Sequence, residues 1–172
     1  MSEKKPAGDG HKGIRRYFGP DGKAGGFPPV VRALMDGDDA GPVGDEREGC
    51  VLLVEDDDQV REMLAMALTH GGFDVFESGD GAEALGLLET LQPDLLLTDV
   101  RMPGMDGIEL IGRIRDSGLL IPGVVVSGVL DPGLPERVAR SGAAAFFAKP
   151  VRLAGLLEQV RHLLREPGGS SG

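Results

Sequence analysis

Two short apolar runs limit what this chain can become. Leu95–Leu97, inside Pro93-Asp-Leu-Leu-Leu-Thr-Asp99, and Cys50-Val-Leu-Leu-Val54 are continuous rather than alternating. A strand that is apolar at every position is buried on both faces, so helices must cover both sides of its sheet. Each run ends on carboxylates, Asp99 after Leu95–Leu97 and Glu55-Asp56-Asp57 after Val54. In open α/β sheets, ligands bind at the carboxyl ends of the strands. Taken alone, Asp99 reads as a solvated strand-end aspartate. The ends of three other strands change that reading.

Between and after the two runs the apolar period switches to that of helices. Val60, Met63, Leu64, Ala67 and Leu68 recur at helical spacing and predict one inward face, with Asp57 or Asp58 as cap and Gly71-Gly72 as stop. Phe73–Ser78 alternates and reads as a strand, Gly79-Asp80-Gly81 as a turn, and 82–91 as a helix with Leu85, Leu88 and Leu91 near one face. The loop after Asp99 is rich in turn formers, Pro103-Gly104 among them, and Asp106 is placed to cap the helix from Gly107 to Ser117. Leu110, Ile111 and Ile114 point inward on that helix. Ile121–Ser127 is the next buried strand, 132–141 a short interrupted helix, and Ala143–Lys149 the last strand. Val151–Arg165 is a closing helix with Leu153, Leu156, Leu157, Val160 and Leu164 at helical spacing.

The order is therefore βα repeated five times. Such alternation predicts a doubly wound parallel sheet, and right-handed crossovers leave few topologies. The common five-strand solution is the flavodoxin-like order 2-1-3-4-5, which sets strands one and three side by side. That adjacency brings Glu55, Asp56 and Asp99 to one sheet edge, with Ser127 and Lys149 at the ends of strands four and five. Packed carboxylates need a cation or a raised pKa. Their hard oxygen donors favour Mg2+. His11, His70 and His162 have no metal-ligand spacing with Cys50, which disfavours zinc.

Residues 1–49 have another character. Basic residues dominate up to Lys23 and acidic residues dominate from Asp36 to Glu48. With so little apolar content the segment reads as a disordered tail. Phe27–Met35 is its one apolar stretch, either a docking peptide or a mildly apolar piece of linker. Gly19–Ala24 fails the phosphate-loop pattern, because Tyr17 and Ala24 stand where Gly and Ser or Thr are required. The expected organisation is thus a tail over 1–49, a domain over 50–166 and a flexible end over 167–172. The net charge of -10 disfavours non-specific nucleic-acid binding. No run approaches the roughly 18 apolar residues of a membrane span, the N-terminus lacks a secretory h-region, and the single Cys50 cannot form an intramolecular disulfide.

Four motifs together carry a family resemblance. They are Val51-Leu-Leu-Val-Glu-Asp-Asp57, Asp94-Leu-Leu-Leu-Thr-Asp-Val-Arg-Met-Pro-Gly-Met-Asp-Gly107, Val126-Ser127 and Phe146-Phe-Ala-Lys-Pro150. In order and spacing, residues 50–166 resemble the CheY-like receiver domain of bacterial two-component response regulators. The resemblance implies that Asp99 accepts a phosphoryl group from a histidine kinase or phosphotransfer protein. It implies Mg2+ on Asp56, Asp99 and the Arg101 backbone carbonyl, with Glu55 acting through water. Lys149 and Ser127 would contact phosphoryl oxygens, Phe146 would be the switch aromatic, and the bond before Pro150 would be cis.

Two departures stand out. The family often has Thr-Ala where this chain has Ser127-Gly128; serine keeps the donor, and glycine frees the backbone. Arg101 and Val129, each two residues beyond a site residue, predict slow self-dephosphorylation. The expected role is a cytoplasmic single-domain regulator, monomeric or dimerising on phosphorylation, that catalyses its own phosphorylation and signals through protein partners. Direct DNA binding is not expected, since only one helix follows Lys149. The alternative is a phosphorylation-independent interaction module with a vestigial acid site. An aspartyl phosphatase would want an acid two beyond Asp99, where Arg101 stands.

Overall fold

Alternate residues of each strand feed opposite cores, which is how this sheet comes to be wrapped on both faces. The computed structural model describes residues 15–17, 48–128 and 131–166. Its strands are β1 (Arg15–Tyr17), β2 (Cys50–Val54), β3 (Asp74–Ser78), β4 (Leu95–Asp99), β5 (Gly123–Ser127) and β6 (Ala145–Ala148). Its helices are α1 (Asp58–His70), α2 (Gly81–Leu91), α3 (Gly107–Asp116), α4 (Leu134–Ser141) and α5 (Leu153–Arg165). The spatial order is β1-β3-β2-β4-β5-β6. Counted from Cys50, the five parallel strands follow 2-1-3-4-5, as expected.

Leu52, Val54, Leu96 and Val125 face one core with Ala84 and Leu88 of α2, Leu110, Ile111 and Ile114 of α3, and Leu134 and Val138 of α4. Val51, Leu53, Leu95, Leu97, Val124 and Val126 face the other with Leu64 and Leu68 of α1 and Leu156 and Val160 of α5. The runs read as doubly buried are fully buried in β2, β4 and β5. Burial of a Leu or Val side chain stabilises by roughly 1.5–3 kcal/mol, so the paired cores dominate the fold.

One strand was not foreseen and one reading needs correction. Ahead of the five parallel strands, β1 pairs antiparallel with β3, with Arg15 opposite Glu77 and Tyr17 opposite Val75. The strand supplies partners to the open edge of β3, and backbone pairing of that kind needs no apolar pattern. On α1, Met63 was placed inward but is 47% exposed. The buried positions are instead Leu64, Ala65, Leu68 and Thr69. Arg61, three residues before Leu64, extends this stripe, its side chain only 13% exposed. The Phe27–Met35 stretch lies outside the described residues.

Candidate functional site

The helix caps fix the loops that carry the site. Asp57 caps α1 by accepting from the backbone N–H groups of Gln59 and Val60 at 2.9 and 3.1 Å. Asp106 caps α3 through the Glu109 N–H at 2.8 Å. Both were read as caps rather than ligands, and the capping bonds account for them. The β4–α3 loop closes tightly: the Gly107 N–H donates to the Val100 carbonyl at 3.0 Å. A Cβ on Gly107 would overlap the Asp99 carbonyl oxygen and come within 2.9 Å of Thr98 Oγ1.

Glu55, Asp56 and Asp99 meet at the carboxyl edge of β2 and β4, with one oxygen from each lying within 4.8 Å of the others. Lys149, brought in from beyond β6, donates to Glu55 Oε2 at 2.9 Å and to Asp99 Oδ2 at 3.2 Å. Asp99 Oδ1 accepts from the Val100 N–H at 2.6 Å. Glu55 Oε1 accepts from the Asp57 N–H at 3.2 Å. Ser127 ends β5, beside β6, with 1% of its surface exposed. The Lys149–Pro150 bond is cis. Phe146 is half-buried and packs on the α2–α3–α4 core.

Charge decides what such a cluster can hold. Three carboxylates and one ammonium leave two negative charges, the complement of one divalent cation. Two like charges at this separation repel by about 3 kcal/mol at an effective dielectric constant of 20. Burial raises the Glu55 carboxyl above the usual range, opposed by the Lys149 hydrogen bond and reinforced by the Asp99 charge. For Lys149, burial pulls the ammonium down. Its hydrogen bond to Glu55 and the charges of Glu55 and Asp99 outweigh this, and the net shift is upward. The donors are all oxygen, which fits Mg2+. Both Glu55 oxygens are engaged by protein donors, while the Asp56 carboxylate is exposed. Both Asp99 oxygens are engaged as well, by the Val100 N–H and by Lys149, so the exposed Asp56 is the carboxylate most open to an incoming cation.

Asp56 lines an open cleft of about 880 Å3 with Arg101, Met102, Asp106, Asp131 and Arg137. Arg101 and Pro103 therefore lie at the mouth of the site rather than among its buried groups. Arg137 of α4 lies 3.5 Å from Asp131 and 4.0 Å from Asp106, tying the helix to both loops. Val129 lies outside the described residues. Sequence reasoning missed Arg137 and Arg61, since neither belongs to an acidic or apolar pattern. It also treated Gly107 only as a helix start.

A doubly wound sheet with paired carboxylates and a lysine on its carboxyl edge is a scaffold for phosphoryl or other anionic chemistry. Residues 51–161 match the response regulator receiver domain, and the chain belongs to that family. It is 37% identical over 124 residues to the response regulator MprA of Mycobacterium sp. (strain KMS), covering 71% of this chain and 53% of that protein. It is 38% identical over 122 residues to the transcriptional regulatory protein CseB of Streptomyces avermitilis, covering 71% and 52%. The chain thus spans about half the length of these relatives. Among solved structures, the Francisella response regulator 1452 receiver domain superposes with a TM-score of 0.65 at 26% identity, covering 68% of this chain and 97% of that one. Vibrio cholerae chemotaxis protein CheY4 superposes with a TM-score of 0.62 at 27% identity, covering 66% and 97%. Membership places the chain in two-component signal transduction, whose receiver domains generally bind Mg2+ and work with histidine kinases or phosphotransfer proteins. No helix among the described residues is long and apolar enough to cross a membrane.

Proposed function

We propose that residues 50–166 form a Mg2+-dependent phospho-acceptor module in which Asp99 takes a phosphoryl group from a phosphohistidine. The observation that carries this reading is the Lys149 ammonium shared between Glu55 and Asp99 beside the exposed Asp56. An Asp99 carboxylate oxygen attacks phosphorus. A P–O bond forms, the P–N bond breaks, and the donor imidazole leaves with the electron pair. The transition state is loose and charge-rich, so positioning and electrostatics supply most of the rate. Asp56, Asp99 and the Arg101 carbonyl would hold Mg2+, with Glu55 acting through water. The ion supplies charge neutralisation between the anionic nucleophile and the anionic donor.

The chain's own groups do the rest. The Val100 N–H fixes one Asp99 oxygen and Lys149 faces the other. As charge moves onto the transferred oxygens, Lys149 can follow them, a point charge on a flexible stem. Ser127, at the end of the neighbouring strand, donates its hydroxyl to another oxygen, and Phe146 turns inward as that strand end shifts. The output surface is the face built by α4, β6 and α5, read by a protein partner. The negative net charge supports a protein rather than a polyanion as that partner. The activity belongs in the cytoplasm.

Acetyl phosphate with Mg2+ tests the reading directly. Intact-mass measurement should show a gain of one phosphoryl group, lost in Asp99→Asn and in EDTA. A folded protein that binds Mg2+ but gains no mass from either acetyl phosphate or a phosphohistidine donor overturns it.

A further inference from the structure

Arg61 sits where an apolar residue would ordinarily complete the inner stripe of α1. We infer that it is a positioning residue for the metal-binding loop. This rests on the phospho-acceptor reading above and adds to it the group that aims Asp56. The Arg61 guanidinium is the hub of three contacts. Nη1 donates to the Glu55 carbonyl oxygen at 2.7 Å. Nη2 pairs with the Asp58 carboxylate. Nε lies 3.4 Å from Oε1 of Glu77, a residue of β3 that is only 2% exposed. Gly79 makes room for the group, since a Cβ there would stand 3.3 Å from Nη1.

The carbonyl that Arg61 holds belongs to the peptide joining Glu55 to Asp56. On the other side of Glu55, its N–H donates to the Ser78 carbonyl at 3.0 Å. The next residue, Asp57, is locked by capping α1. Asp56 is therefore set between two fixed points, and the first depends on Arg61. The exposed Asp56 carboxylate gains its direction from this backbone. A guanidinium is suited to the task because its planar fork reaches several oxygens at once, which an ammonium cannot do. Outer-shell groups that orient metal ligands commonly govern affinity in this way.

Coulomb's law and positioning predict opposite signs. Arg61 is a cation near a cation site, so its removal by charge alone would tighten Mg2+. Loss of the loop's anchor would weaken it. The chain has no Trp, so calorimetric titration with MgCl2 is the primary measurement. It is run on the full chain, Arg61→Met, Arg61→Lys and Ile114→Val, the last a remote core change that controls for lost stability. Arg61→Met should bind Mg2+ about tenfold more weakly, and Arg61→Lys should fall between it and the unaltered chain. Ile114→Val should bind normally. The Mg2+ concentration that half-saturates acetyl phosphate labelling should rise in parallel, with the labelling rate at saturating Mg2+ nearly unchanged.

Unchanged or tighter binding by folded Arg61→Met overturns the inference, as does equal weakening in Ile114→Val. If Arg61→Met does not fold, Arg61→Lys decides by the same criterion. An unaltered chain that binds no Mg2+ removes the phospho-acceptor reading and this inference together. Normal binding by the unaltered chain and by the Arg61 variants removes the inference alone.

Discussion

Gly107 approaches the Asp99 carbonyl oxygen so closely that no side chain fits between them. The first residue of α3 thus sets how near the helix can come to the end of β4. Gly107→Ala must push the two apart, with an overpacking cost of about 1–3 kcal/mol. Urea unfolding should show that loss, and acetyl phosphate labelling should slow because Asp99 moves with its carbonyl. A variant as stable and as quickly labelled as the parent would mean that the loop gives way at no cost.

Lys149 both balances the acidic cluster and occupies it. Lys149→Met leaves Glu55, 2% exposed, without its cation. Because the lysine is itself partly exposed, the loss in metal-free stability should be near 1–2 kcal/mol, below that of a fully buried pair. Calorimetry should show tighter Mg2+ binding, since an ammonium no longer competes for the carboxylates. Phosphorylation should nonetheless be slower, because no charge follows the transferred oxygens. Weaker Mg2+ binding would contradict the competition.

Cys50 is 7% exposed, and burial followed by the charges of Asp94 and Asp74 pushes its thiol up to about 12. The unfolded thiol ionises near pH 8.5. The folded state thus keeps its proton where the unfolded state has lost it. Stability from this group is complete below the unfolded pKa and falls as pH rises through the window towards 12. Urea midpoints should drop more steeply above pH 9 for the parent than for Cys50→Ala. Iodoacetamide at pH 8 should label Cys50 only as fast as the chain opens.

Gly128 departs from the family's usual alanine without a steric reason. A Cβ there would rest 3.6 Å from Lys149 Cβ and 3.7 Å from its Cδ, ordinary van der Waals distances. Gly128→Ala should therefore be neutral or stabilising by up to about 1 kcal/mol, mostly through a less flexible unfolded chain. A clear loss of stability in thermal unfolding would show that the backbone needs the glycine.

The doubly buried strands were legible because burial on both faces leaves a continuous apolar signature, as in Leu95–Leu97. The adjacency of β2 and β4 followed from connection rules, and with it the meeting of Glu55, Asp56 and Asp99. What escaped was whatever depends on a partner far along the chain. Arg15–Tyr17 has no apolar period, and its strand exists through the register it shares with β3. Arg61 looks like any helix arginine until β3 supplies Glu77 and the β2–α1 loop supplies a carbonyl. Met63 fits the apolar period, yet the inner stripe follows Arg61, Leu64, Ala65 and Leu68 and leaves it outside.

Phe146 and Phe147 are neighbours on β6 that serve opposite cores, the first packing with the α2–α3–α4 layer and the second with α1 and α5. Successive side chains of a strand point in opposite directions. A displacement of β6 normal to the sheet that seats Phe146 more deeply draws Phe147 away from its own core. The two helical layers are therefore mechanically antiphase: one firms as the other slackens, and a partner on either side can feel the same event with the reverse sign.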